Sequence, residues 1–163
     1  MSWFPWLLWL HIFGAIVAFG PVFALPLIRR MGAREPMHAN FGLRVSAAIN
    51  HGITLPLAVV QGITGLALVI VSGRDLAAQG NYWLDVAIVL YVIALTFSYF
   101  VQAGRVAAII EMTSAPPPAA GAGAPGGPPP ALAAAARQAG QGGMLLTVLI
   151  ATIIFLMVVK PGS

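Results

Sequence analysis

The fold is decided by residues 3–30, WFPWLLWLHIFGAIVAFGPVFALPLIRR, a stretch with no charged side chain before its two closing arginines. A helix needs about 20 apolar residues to cross the hydrocarbon core of a bilayer. The stretch therefore predicts a transmembrane helix. It begins with Trp3, Trp6 and Trp9, and tryptophan is enriched in the headgroup layer. One end of this helix is thus marked by tryptophan and the other by arginine.

Further runs of the same kind follow along the chain. The uncharged runs are Ser2–Ile28, Val45–Gly73, Val86–Gly104 and Gln138–Val159. Each is expected to be helical, because only a helix or a closed barrel satisfies its backbone in lipid, and none shows the alternation of a barrel strand. We predict an all-α fold, a four-transmembrane-helix bundle forming a single membrane domain over residues 1–163. Its helices cover about 3–29, 41–73, 82–111 and 131–159.

Composition excludes several classes of protein. With 60% hydrophobic and 7% charged residues, the chain cannot hide its apolar surface as a soluble domain. Its few basic residues are too scattered for a nucleic-acid interface. The absence of cysteine excludes disulfides, iron–sulfur clusters and thiolate ligands. No basic leader or cleavage site precedes the first run, so we expect that run to remain in the mature protein.

Charge is distributed unequally between the two ends of these runs. Arg74 and Lys160 lie at the end that carries all four tryptophans, Trp83 included. The opposite end carries Arg29, Arg30, Arg34, Arg44, Arg105 and Arg137. Because Lys and Arg are retained on the cytoplasmic side, this predicts a multi-pass protein of the bacterial cytoplasmic membrane with both termini outside.

Proline marks one connection and two of the spans. The tract 116–130 contains only Pro, Ala and Gly, and we expect it to be a flexible spacer, because it has too little to bury. An SH3-type ligand is the alternative, but the usual basic flanks are missing. Pro21, Pro26 and Pro56 lie inside predicted helices and are expected to kink them.

His11 is the first candidate for a functional side chain. It shares a helix face with Gly14, Ala15, Ala18 and Val22, and such small residues allow close approach of a neighbouring helix or a flat ligand. The functional interpretations are a haem axial ligand, a metal ligand or a proton relay. The alternative is a histidine that hydrogen-bonds a neighbouring helix and holds the two together.

His51 is the weaker candidate, and it begins a polar cluster in the arginine-bearing half. The cluster contains Asn50, Thr54, Gln61, Ser98, Gln102 and Arg105. It has the composition to hold a lipid headgroup, a cofactor propionate or ordered water, and ordinary interhelical hydrogen bonding explains it equally well. Along the helices, His11 and His51 differ in depth by about 15–20 Å. A shared bis-histidine haem is therefore not expected, and His38 is expected to be solvated.

Residues and motifs that enzymes and coupled carriers need are absent from the uncharged runs, and their absence favours a non-enzymatic role. No carboxylate lies within them, as a proton-coupled carrier would normally require. No phosphate loop, hydrolase elbow or carboxylate pair occurs. We therefore expect no catalytic residues and identify no metal site.

Three segments resemble a known family. They are LHIFGAIVAFG at 10–20 with the following Arg29-Arg30, TGLAL at 64–68 and FLMVVKP at 155–161. They resemble small bacterial four-helix integral membrane proteins of unknown function, and the likeness covers most of the chain outside the proline tract. This resemblance implies the same bundle.

A more distant similarity is to copper-resistance protein D and HemJ-type protoporphyrinogen oxidases. It rests on a histidine followed by glycine in the first helix, here His11 and Phe19-Gly20. The resemblance implies that His11 bears on haem binding. The HemJ-type activity also needs an internal lysine, whereas Lys160 lies at the end of the last run.

Two functional hypotheses follow from these residues. The first is an accessory or structural subunit that packs with other membrane subunits, in a respiratory or photosynthetic complex for example. The second is a haem-b or tetrapyrrole-binding protein using His11, either an electron carrier or a porphyrin-handling enzyme. A copper transporter is disfavoured, because the methionines are dispersed and make no thioether site.

The predicted orientation has a direct test. The chain has no cysteine, so Gly123→Cys introduces a single reactive thiol in the proline tract. We expect this thiol to be labelled only from the cytoplasmic side. Labelling of intact cells by a membrane-impermeant reagent would show that the topology is inverted.

Overall fold

The computed structural model describes residues 3–74, 76, 80–114 and 129–162. Helices contain 92% of them and they include no strand, which confirms the all-α prediction. In this part of the chain, four helical stretches are long and apolar enough to cross a membrane: Phe4–Gly32, His38–Ser72, Tyr82–Ser114 and Pro130–Val159. We call them the first to fourth spans. The predicted flexible tract lies outside the described residues, apart from its last two positions.

In the described part of the chain, the four spans are built from six α-helices and two π-helical turns. Helix α1 covers Phe4–Arg34, longer at its end than predicted, and α2 covers Pro36–Ile49, starting before the predicted residue 41. The remaining α-helices are α3 (Leu55–Ser72), α4 (Tyr82–Phe97), α5 (Ala103–Ser114) and α6 (Pro130–Val159). Proline occupies the first turn of α1, α2 and α6, where its missing N–H and fixed φ are tolerated.

Two spans contain a π-helical turn, a feature that hydropathy did not predict. The second span widens at Asn50–Thr54 and the third at Ser98–Gln102. The first of these turns directly precedes Pro56, and the Leu55 N–H bonds the carbonyl of Asn50, five residues earlier. Widening the turn relieves the clash that a proline ring makes with the carbonyl four residues before it. Helix α1, in contrast, continues through Pro21 and Pro26.

The spans form two antiparallel hairpins. The first span packs along both halves of the second span, and α4 packs on α6. The hairpins join mainly at the arginine-bearing end, which we call the basic end, where α2 meets α5. Toward the opposite, tryptophan end, the second and third spans are bridged by a side chain: the Tyr91 hydroxyl donates to the carbonyl of Ala58 at 2.6 Å.

Among the described residues, the core contains alanine more often than any other residue. Its most deeply buried members include Ala18, Ala58, Ala87 and Ala139. Small side chains allow close helix approach, so packing in lipid is driven by van der Waals contact and not by burial of bulk. Trp83, at the tryptophan end, is 5% exposed and is therefore buried by the protein itself. The guanidinium of Arg74 and the ammonium of Lys160 lie 5.7 and 5.8 Å from its ring centroid.

Gly62 is the position where this close packing is most easily tested. A Cβ there would lie 2.7 Å from the Tyr91 hydroxyl and 3.1 Å from its ring. Gly62→Ala should therefore displace Tyr91, break its bond to Ala58, and lower the free energy of unfolding in detergent by about 1–3 kcal/mol.

The matched control is Gly104→Ala, because a Cβ at Gly104 meets no atom within 4 Å. It should be neutral or slightly stabilising, since alanine is the better helix former. Equal losses in the two variants would contradict the role given to Tyr91.

Candidate functional site

His11 lies in the seam between the first and second spans. Its Nδ1 is 2.9 Å from Thr64 Oγ1, and the Thr64 hydroxyl donates to the carbonyl of Gln61 at 3.1 Å. Because that hydroxyl proton is already used, the His11 Nδ1–H is assigned as the donor to Thr64 Oγ1. Nε2 then keeps a free lone pair. The imidazole is seated on Gly65, with Cε1 3.1 Å from the position that a Cβ there would take.

Gln61 belongs with His11 and not with the polar cluster at the basic end. Its Oε1 lies 2.9 Å from the position that a Cβ on Gly14 would take, so the side chain faces the first span. Gln61 follows His51 by about ten residues, or about 15 Å along the helix. We call His11, Gly14, Gln61, Thr64 and Gly65 the histidine layer.

His51 lies apart from this layer. It is exposed within the π-helical turn of the second span, and its Nδ1–H donates to the carbonyl of Ala47 at 3.0 Å. Thr64, which contacts His11, is about 13 residues further along the same span, and this corresponds to about 20 Å. The structure thus holds the two histidines at different levels. Of the neighbouring cluster members, Thr54 is buried and Asn50 is half-buried.

Gln102 and Arg105 meet the fourth span near the basic end. Gln102 Nε2 donates to the carbonyl of Ala139 at 2.8 Å, and Arg105 Nη1 donates to that of Gln138 at 3.3 Å. Gln102 is buried, and its Oε1 has no hydrogen-bond partner among the described residues. Ser98, one turn earlier on the third span, is buried as well.

Arg29 joins this group from the first span, a role that the sequence interpretation missed. Its Nη1 donates to the carbonyl of Ala139 at 3.2 Å and lies 2.6 Å from the position of a Cβ on Gly143. Gln102 and Arg105 occupy the corresponding space at Gly142. The signal for this contact in the sequence was the pair of successive glycines, Gly142 and Gly143. They leave a flat surface on the fourth span, and two neighbouring spans pack against it. We call Arg29, Gln102, Arg105 and the turn 138–143 the arginine layer.

Beyond the arginine layer, polar contacts tie helix ends together. The Asn40 amide donates to the carbonyl of Ile110 at 3.1 Å and to the hydroxyl of Thr113 at 2.8 Å. This joins the start of the second span to the end of the third. His38, expected to be solvated, is exposed and lies 3.2 Å from the Glu35 carboxylate.

The described residues contain no group of three or more His, Asp or Glu side chains placed to hold a metal ion. Polar side chains of the histidine and arginine layers instead connect neighbouring spans. The arrangement can fix helix positions at two depths. The atoms still available for a ligand include Nε2 of His11, Nε2 of His51 and the unused N–H groups of the two arginines.

Comparison with known proteins gives one match. The family described as "Predicted integral membrane protein (DUF2269)" matches residues 5–161. No curated protein and no solved structure matches the chain, so the distant similarity to copper-resistance protein D and HemJ-type enzymes stays a prediction. Because the match covers nearly the whole chain and agrees with four apolar spans, the chain belongs to this family of integral membrane proteins.

Proposed function

We propose that the chain is an accessory or structural subunit that packs laterally against another protein in a larger membrane complex, of which respiratory and photosynthetic complexes are examples. One observation carries the proposal: an apolar groove between the second and third spans that opens to the bilayer and holds an exposed histidine. We further propose the orientation predicted from the arginines, in the bacterial cytoplasmic membrane with both termini outside, because the basic end is shared by all four spans.

The groove is lined by residues of both π-helical turns, His51 from the second span and Tyr99 and Phe100 from the third. Its volume is ≈ 510 Å³. It is lined by His51, Leu55, Pro56, Val59, Leu95, Thr96, Tyr99 and Phe100. Tyr99 and Phe100 are 60% and 74% exposed. Since π-helical turns are frequent at functional sites, their meeting at an open groove favours a binding surface over a simple packing irregularity.

The imidazole of His51 indicates what occupies the groove. Its Nδ1–H donates to the Ala47 carbonyl, so Nε2 is left as an acceptor in the neutral ring. Within the described part of the chain, no side chain donates to this nitrogen. Acyl chains cannot donate either, and an unsatisfied polar atom in hydrocarbon costs free energy. A neighbouring transmembrane helix with a hydroxyl, amide or indole N–H satisfies this nitrogen and fills the apolar groove.

The packing of the His11 ring bears on the haem hypothesis. A histidine whose Nδ1–H is bound to a hydroxyl has a suitable Nε2 for an axial ligand. However, the ring rests against Gly65, with Nε2 itself 3.9 Å from the position of a Cβ there. The imidazole is thus packed against the second span, which supports a role in holding the two spans together over haem ligation. We assign His11 to holding the first and second spans together.

Photo-crosslinking in native membranes tests the proposed subunit role. A photoreactive residue at Tyr99 should give an adduct with one discrete protein. His51→Leu should weaken that adduct several-fold, because the acceptor is lost, whereas His51→Gln, which keeps an acceptor, should preserve it. Ile63 lies on the second span, as His51 does, and is 63% exposed. It serves as the control position for the photoreactive residue. Lipid adducts alone at Tyr99, or the same protein adduct at Ile63, would contradict the proposal.

The role of His11 is tested by a double-mutant cycle with Thr64. His11→Ala and Thr64→Val should each destabilise the protein in detergent, with a coupling of about 0.6–1.7 kcal/mol, the range measured for interhelical hydrogen bonds. Thr64→Ser keeps the hydroxyl and should keep the coupling. An absorbance spectrum decides the alternative: a Soret band in the wild type that His11→Ala abolishes and His51→Ala leaves would establish haem binding and refute this assignment.

A further inference from the structure

Two arginines of this bundle, Arg29 and Arg105, bond backbone carbonyls of the fourth span. In a helix each Cα–Cβ bond tilts toward the N-terminus, and the first and third spans both run toward the basic end. Arg29 and Arg105 therefore start back toward the hydrocarbon. The Arg105 guanidinium lies 5.6 Å from the ring centroid of Phe97, two turns earlier on its own span. Long basic side chains near helix ends ordinarily extend outward to water, and these two do not.

The depth of the arginine layer matches the headgroup level of one leaflet. Arg29 follows Trp6 by about 23 residues, Arg105 follows Trp83 by about 22, and Ala139 precedes Lys160 by about 21, which at a rise of about 1.5 Å gives about 32–35 Å. The hydrocarbon core is about 30 Å thick. If the tryptophan end marks one edge of the core, the arginine layer lies at the other edge, beside the lipid phosphates.

The charges of this layer are not neutralised by the protein. Among the described residues, the one ion pair joins His38 to Glu35, and no carboxylate bonds Arg29 or Arg105. Each guanidinium has five N–H donors in a planar fork. One bond from each, to the successive carbonyls of Ala139 and Gln138, leaves the remaining donors for another acceptor. Arginine forks match phosphate oxygens well.

We propose that Arg29 and Arg105 form a binding site for the phosphate of an anionic phospholipid, held against the Gly142-Gly143 turn of the fourth span. The glycines let both guanidinium groups lie on the helix backbone, since a side chain at Gly143 would meet Arg29 and one at Gly142 would meet Gln102 and Arg105. The lipid phosphate neutralises charges that face the bilayer edge. Basic pockets between transmembrane helices bind anionic headgroups in this manner.

Native mass spectrometry of the delipidated full-length protein tests the site. The probes are phosphatidylglycerol and phosphatidylcholine with identical acyl chains. The wild type should bind one phosphatidylglycerol at least about 10-fold more tightly than phosphatidylcholine, and Arg29→Gln/Arg105→Gln should weaken that binding by about 10- to 30-fold. Arg30→Gln/Arg44→Gln removes the same charge from two exposed side chains and should change the affinity less than about twofold.

Each remaining outcome has a defined meaning. No preference of the wild type for phosphatidylglycerol, or equal losses in the two double variants, would overturn the site. Stabilisation of the lipid-free protein by inorganic phosphate, lost in Arg29→Gln/Arg105→Gln, would identify a soluble anion and overturn the lipid assignment. If the double variant does not fold, the single variants Arg29→Gln and Arg105→Gln should each lose several-fold in affinity, and wild-type affinity in both would refute the proposal.

Discussion

Polar side chains of this bundle rest on glycines of the neighbouring span, and the arrangement of the helices depends on that contact. In lipid, helices gain little from burying bulky apolar groups against each other, so they associate through close packing and a few polar bonds. A glycine brings the partner close enough for both. The contacts are His11 on Gly65, Gln61 on Gly14, Tyr91 on Gly62, Gln102 on Gly142 and Arg29 on Gly143. Together they connect every pair of spans adjacent in sequence, and they also connect the first span to the fourth.

The number and nature of the helices could be predicted from hydropathy, because a chain in lipid has few ways to satisfy its backbone. The face of His11 could be predicted as well, since the spacing of Gly14 and Ala18 follows the helical period. The level at which Gln61 lies in the bundle could not be predicted. Periodicity gives the direction of a side chain around its own helix, but the axial offset between two helices depends on contacts that neither sequence segment contains alone.

Other features were not predicted from the sequence, for different physical reasons. Arg29 was read only as one charge of a topological signal, although its position opposite Gly143 makes it an interhelical donor. The burial of the Trp83 ring, with Arg74 and Lys160 beside it, was not predicted. The π-helical turn at Asn50–Thr54 precedes a proline, so it has a local cause. The turn at Ser98–Gln102 is followed by no such residue, so its sequence offers no comparable local cause.

The two layers separate the bundle into a half held by uncharged bonds and a half held by guanidinium groups. The histidine layer holds the first two spans together through bonds between neutral groups. The arginine layer joins three spans and still has unused donors. The groups that remain free to bind a partner or ligand are therefore concentrated at the basic end and in the groove between the second and third spans.

A π-helical turn also changes the phase of the helix that contains it. One inserted residue rotates everything that follows by about 100° around the helix axis. In the second and third spans, the surface continuous with α2 or α4 is thereby carried to a different side of the helix after the turn. At the basic end, each of these spans can consequently offer suitable faces to two different neighbours: α2 packs on α5 as well as on the first span, and α5 packs on α2 as well as on the fourth. In the other half, α3 packs on the first span and α4 on the fourth. A regular helix of the same sequence length would need a second apolar stripe on another side to make the additional contact.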